Sequence, residues 1–167
     1  MHEVMGGAGA GAGAGADPGV GIGPAVPADA GEVLALVRRA YAPYVERIGR
    51  EPAPMGADYS ELIARGSVTV ARRGAALVGV LVSEPGENFL LVENIAVAPE
   101  EQGTGLGARL LERAEREARE LGLGELRLYT NAKMTENLSY YPRRGFVEVE
   151  RREEDGFDRV FYARALG

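Results

Sequence analysis

The segment Gln102-Gly103-Thr104-Gly105-Leu106-Gly107 places three glycines at alternate positions ahead of a charged, amphipathic run. Glycine is a poor helix residue, so three at the start of a good helix imply that something comes close to the backbone there. A phosphate is the leading candidate, because a helix N-terminus offers free N–H donors and a positive dipole end. Few other groups are available for chemistry. Cysteine is absent, which excludes disulfides, thiolate catalysis and zinc–sulfur sites, and the single histidine is His2. Acid–base work therefore falls to Glu, Asp, Tyr or the one lysine, Lys133, and no metal site is expected. Glu93 interrupts the apolar run "FLLVENIAV", and a carboxylate there should be functional or paired. The bland alternative is a solvated edge residue or an ion pair with an arginine.

These residues need a scaffold. Residues 1–19 form a glycine- and alanine-rich stretch without core-forming side chains, expected to be a flexible tail. It lacks the basic and apolar regions of a signal peptide, so a cytoplasmic location is expected. The rest, 20–167, reads as a single domain. A weak strand at Val20–Val26 precedes a helix opened by Asp29 and Glu32 at capping-box spacing. Pro43 should kink or break that helix. A second start signal follows at Asp58 and Glu61, with Gly66 as stop. The period then changes to two, giving strands at Ser67–Arg73, Ala75–Glu84 and Asn88–Ala98 joined by short turns. The long helix carries Leu106, Leu110, Ala114, Ala118 and Leu121 on one face. A strand at Glu125–Asn131 is reached by helical crossover and should be parallel to its predecessor. A short helix and a hairpin around Asp155-Gly156 complete the chain. The order is β-α-α-β-β-β-α-β-α-β-β, an α/β protein with a mixed sheet.

Bulk properties narrow the function. The formal net charge of −6 argues against a nucleic-acid binder, and no apolar run reaches the roughly 20 residues that span a bilayer. Two rival readings of the glycine motif fail on context. Gly103, Gly105 and Ala108 fit a dinucleotide fingerprint, but "PEEQ" separates them from the preceding strand. A P-loop would need Gly-Lys-Ser/Thr, which does not occur.

"NIAVAPEEQGTGLGARLLERA" resembles the coenzyme-binding motif of the GNAT superfamily of acyl-CoA-dependent N-acetyltransferases, with Gln102, Gly105 and Gly107 at the signature positions. "YYPRRGF" is similar to the family's later Tyr-x-x-x-Gly-Phe segment, here Tyr141, Gly145 and Phe146. The resemblance spans residues 20–166 and implies acetyl transfer from acetyl-CoA to an amine, a small molecule or a peptide. It implies that the amides of Gln102, Gly103, Thr104, Gly105, Leu106 and Gly107 cradle the pyrophosphate. It also implies that main-chain groups of Ile95, Ala96 and Val97 meet the pantetheine arm where two central strands splay. Tyr141 matches the family's general acid, and Asn137 is expected to bind the cofactor arm, with Asn131 as a rival. For the base, Glu93 is the candidate beside a water relay, because Tyr129 and Thr130 stand where some members carry a glutamate. Tyr41, Tyr44, Arg47 and Tyr59 fall in the region that shapes the acceptor pocket. Arg109, Arg113, Arg143 and Arg144 are candidates for the 3′-phosphate. A non-catalytic acyl-CoA-binding module is the alternative function, and the oligomeric state, a homodimer included, stays open.

Overall fold

The computed structural model describes residues 19–167, so the tail expected over residues 1–19 lies, apart from Gly19, outside the described residues. The elements run β1 (Val20–Pro24), α1 (Ala30–Ile48), α2 (Tyr59–Ala64), β2 (Val68–Arg73), β3 (Ala76–Pro85) and β4 (Phe89–Val97). They continue with α3 (Leu106–Glu120), β5 (Glu125–Asn131), α4 (Thr135–Arg143), β6 (Val147–Glu154) and β7 (Phe157–Ala165). The expected order is the observed one.

The seven strands form one sheet in the order β1-β2-β3-β4-β5-β7-β6. Every neighbouring pair is antiparallel except β4 and β5, which run parallel through the α3 crossover. Their pairing covers four residue pairs, from Phe89–Glu125 to Val92–Leu128, and then stops. Beyond it β4 keeps β3 on one side, through Ile95–Leu81, Ala96–Val80 and Val97–Gly79. Between Ser83–Val92 and Val82–Asn94 the β3–β4 register shifts, leaving Glu93 as the extra residue of a bulge.

Helix α3 buries Leu106, Leu110, Leu111, Ala114 and Ala118. It lies close over β3, because a Cβ on Gly79 would sit 3.1 Å from Leu110 Cδ1 and 3.3 Å from Leu106 Cδ2. Leu121 falls outside the expected apolar stripe: it follows the last turn and is exposed. Two expectations for the first helix also need correction. Helix α1 runs unbroken through Pro43 to Ile48. Pro43 lies on the exposed side, where water can serve the carbonyl that its missing N–H leaves unpaired. Asp29 makes no side-chain cap to α1. Its Oδ2 instead accepts from the Val26 N–H at 2.8 Å, and its Oδ1 from Arg72 at 2.5 Å, tying α1 to β2. Asp58 does cap α2, accepting from the Glu61 N–H at 3.1 Å. Asp155 and Gly156 both take positive φ, 55° and 81°, as the tight β6–β7 turn requires.

Candidate active site

A glycine-rich cradle is built by the chain leaving β4. After Ala98 a 3-10 turn (Pro99–Glu101) leads into Gln102, and Gly103 and Gly105 take φ of 82° and 88°. Only glycine adopts this left-handed backbone without strain, so the motif serves the loop's shape as well as ligand access. Gly105 is the N-cap of α3 and offers no side chain, and no acidic residue stands in the first turn. The first-turn amides of Leu106, Gly107 and Ala108 therefore have no intrahelical partner and no first-turn carboxylate to neutralise them. Thr104 turns its hydroxyl back to the Glu101 carbonyl at 2.6 Å, and Glu101 is clamped by Arg73 through Nε and Nη2 at 2.8 and 2.9 Å. Arg109, one turn into α3, carries a buried Nη1 with no acceptor among the described residues. The donor set fits a pyrophosphate.

The gap between β4 and β5 continues from this cradle. Ile95, Ala96 and Val97 lie on β4 past its last pairing with β5, so the strand edge towards β5 has no strand partner. On the α1 and α2 side, the bulge lets Asn94 turn into a buried network. Tyr41 donates to Asn94 Oδ1 at 2.8 Å, Asn94 Nδ2 donates to the Tyr59 hydroxyl at 3.2 Å, and Tyr59 donates to the Pro54 carbonyl at 2.6 Å. Burial pushes the Tyr59 hydroxyl well above its ordinary range. Tyr41 and Tyr59, expected near the acceptor, thus hold the wall in place rather than face open space.

Glu93 is half-buried and makes no hydrogen bond or ion pair among the described residues. Burial raises its pKa, with the charge of Glu84 adding and that of Arg65 opposing. Arg65, whose charge opposes the shift, is itself engaged by Glu61 and Glu84.

Tyr141 lies on α4, fully buried, packed edge-on against Tyr140 and Phe146 with ring centroids 5.2 and 5.6 Å away. Its hydroxyl has no hydrogen-bond partner among the described residues, and burial holds its pKa well above the usual value. An unpartnered buried hydroxyl is costly to maintain and calls for an explanation, of which a catalytic role is one. Asn137, one turn earlier, is buried and donates to Thr130 Oγ1 at 2.9 Å, which anchors α4 to the end of β5. Asn131 accepts from the Lys133 N–H at 2.8 Å and shapes the turn between them. Tyr44 of α1 donates to Glu136 Oε2 at 3.0 Å, and Arg47 binds the same carboxylate at 2.6 Å, so α1 and α4 meet beyond β5. Burial, with the charge of Glu136, pushes the Tyr44 pKa up to about 12. Of the remaining arginine candidates, Arg143 binds Ser139 and Arg144 stacks on Tyr140, while Arg113 is half-buried.

Beside the gap, the sheet face formed by β5, β7 and β6 carries a cavity of about 820 Å³. Phe89, Leu91, Tyr129 and Phe161 give it an apolar lining, and Arg127 and Arg152 lie over the Phe89 and Phe161 rings at 4.0 and 4.3 Å. Sequence reasoning misses this chamber and the buried Arg159 of β7. Arg159 shares the period-two face of Phe157 and Phe161, which was its only signal.

Several known proteins are similar to this chain. An "IAA acetyltransferase" of Azospirillum brasilense is 36% identical over 81 residues, a match spanning 47% of this chain and 53%, about half, of that protein. Among solved structures, paia N-acetyltransferase from Thermoplasma acidophilum, determined in complex with coenzyme A, superimposes with a TM-score of 0.71 at 21% identity, covering 88% of this chain and 99% of that one. An IAA acetyltransferase from Bacillus cereus gives 0.66 at 24% identity, with 88% and 99% covered. At such identities the two structures speak for the fold alone. The sequence model of the GNAT acetyltransferase family matches residues 34–146, from early α1 to the phenylalanine that closes α4, and so takes in the bulge, the open helix start and the buried tyrosine: the chain belongs to the GNAT acetyltransferase family.

Proposed function

We propose that the protein transfers an acetyl group from acetyl-CoA to a primary amine, by direct attack within a ternary complex. The observation that carries this reading is the parting of β4 and β5 after Val92–Leu128, a gap that leads from Glu93 to the uncapped start of α3. Gln102–Gly107 would hold the pyrophosphate through main-chain N–H groups, and the free edge of Ile95–Val97 would hold the pantetheine arm. When bound, the coenzyme supplies the acyl thioester.

The chain's own residues supply the proton transfers. A typical alkyl amine has a pKa near 10.4, so deprotonating it at pH 7 costs about 4.6 kcal/mol. Glu93 takes that proton, directly or through a water; its raised pKa makes it a better base than an ordinary carboxylate. Tyr141 gives its proton to the departing sulfur. Its elevated pKa keeps it protonated, and no protein acceptor competes for it. The absence of cysteine favours direct transfer over a thiol-borne acyl-enzyme. The acceptor is a small-molecule or peptide amine, and the setting is cytoplasmic, without nucleic acid or membrane.

An acceptor screen that follows free thiol release from acetyl-CoA tests the reading. Thiol release that depends on an amine, with the acetylamine found as product, supports it. Tight coenzyme binding without release from any amine would instead leave an acyl-CoA-binding module.

A further inference from the structure

Arg159, on β7, is the largest fully buried side chain among the described residues. Its guanidinium carbon lies over the rings of Tyr129 and Phe157, at 4.9 and 5.3 Å from their centroids. Nη1 binds Glu154 at 2.6 Å and lies 3.6 Å from Asp155 Oδ2. Nε and Nη2 are buried and have no hydrogen-bond partner among the described residues.

Those two atoms form one edge of the guanidinium, the edge that receives a carboxylate through two parallel bonds. This protein uses it so elsewhere. Arg73 holds Glu101 through Nε and Nη2 at 2.8 and 2.9 Å, and Arg151 holds Glu148 through the same two atoms at 2.9 Å each. A buried charge with its better edge unmet is costly, and the fold pairs only its opposite side.

The surroundings suit an anionic ligand with an apolar body. A cleft of about 320 Å³ touches Arg159, Arg151 and Arg152, and Arg152 also lines the larger aromatic chamber, so the two adjoin. Glu153 and Asp158 also line the cleft, but both are exposed, where water and salt screen them. Tyr129 links the parts: its ring carries the Arg159 guanidinium, it lines the chamber, and it directly follows the last β4–β5 pair.

We infer that the acceptor is an amine bearing a carboxylate, that Arg159 binds this carboxylate through Nε and Nη2, and that the neighbouring aromatic chamber receives the acceptor's apolar body. This rests on the acetyl-transfer reading for the amine, while the anion site stands on Arg159 itself. The carboxylate has two sources, a free amino acid or an acidic side chain near a peptide N-terminus.

The test uses the full chain and matched acceptors. Thiol release is measured with phenylalanine against phenylalaninamide, and with a peptide carrying Glu at its second position against one carrying Gln. The carboxylate member of one pair should win by roughly 100-fold in kcat/KM, and the winning pair identifies the source. Arg159→Gln should abolish that preference through KM while leaving the neutral acceptor's rate intact. Arg159→Lys, which keeps the charge but lacks the fork, should restore only part of it. Equal use of carboxylate and carboxamide by the wild-type chain, which needs no variant to fold, would overturn the inference. So would an Arg159→Gln variant that stays folded and loses both acceptors equally. If no amine releases thiol, the transferase reading fails, and calorimetry decides the anion site. N-acetylphenylalanine binding that exceeds its amide's and vanishes in Arg159→Gln supports the site; equal binding of the two overturns it.

Discussion

Glu93 on β4 and Tyr129 on β5 are the first residues past Val92–Leu128, the last pair that joins these two parallel strands. One is the extra residue of a bulge and the other lines the aromatic chamber, so the base candidate and the chamber meet where the sheet opens.

Glu93→Gln keeps the shape and removes the proton acceptor. kcat at neutral pH should fall by about 100-fold or more, with acetyl-CoA affinity nearly unchanged. The folded-state pKa of Glu93 is raised and a base works deprotonated, so wild-type activity should rise with pH through that pKa. The deficit should shrink at high pH, where free amine is abundant. Rate against pH for both proteins with the same amine checks this; superimposable profiles would eliminate Glu93 as base.

Tyr141→Phe removes one hydroxyl that has no partner to lose. Stability and coenzyme binding should hold, or improve slightly, while kcat drops by about 100-fold, or less if the thiolate leaves well unaided. An unaltered kcat would return Tyr141 to the core.

Gly105→Glu places bulk and negative charge at the N-cap of α3, at a φ of 88° that disfavours any side chain. Coenzyme A affinity measured by calorimetry should fall by orders of magnitude. Gly105→Ala separates the two contributions, since it carries the strain, roughly 1–2 kcal/mol, without the charge. Wild-type affinity in the glutamate variant would remove the cradle.

Asn94→Leu strips one amide from between two tyrosines. Tyr41 loses the Asn94 acceptor and the Tyr59 hydroxyl loses the Asn94 donor while keeping Pro54, and urea unfolding should show a loss of about 2 kcal/mol. Adding Tyr41→Phe to Asn94→Leu should cost less than Tyr41→Phe alone, because the two share one interaction. Strict additivity would deny the network.

Asp29 ties the entrance of α1 to β2. Its pKa is lowered, chiefly by the Val26 N–H and then by Arg72. Its contribution is thus present above the unfolded-state value near 3.9 and is lost as pH falls through the lower folded-state value. Asp29→Asn should cost about 1 kcal/mol at pH 7, the usual worth of a side chain that satisfies a turn N–H. The gap to wild type should close in acid, as followed by thermal unfolding across pH.

The sequence was most legible where one local signal decides the outcome. The glycine-to-helix transition at Gly105, the four-residue spacing of Leu106, Leu110, Ala114 and Ala118, and the Asp155-Gly156 turn each need only neighbours in the chain. It was least legible where a distant element decides. Whether Pro43 breaks α1 depends on which side meets water, and Pro43 is on the exposed one. The bulge at Glu93 hides inside a run apolar on both faces, where a one-residue slip leaves no mark on the alternation. Asn94 reads as an ordinary polar residue until Tyr41 and Tyr59 arrive from 53 and 35 residues away. The burial of Arg159 likewise depends on packing that its own strand does not announce.

The sheet is in effect two antiparallel panels, β1 to β4 and β5 to β7, riveted along a seam of only four residue pairs. Past Val92 the seam is open, and α1 and α4 brace its far end through Tyr44, Arg47 and Glu136. A molecule threaded into the opening would act as a splint between the panels. Coenzyme should therefore stiffen the protein far beyond its own contacts, slowing amide exchange across β5 and β7 as well as in β4.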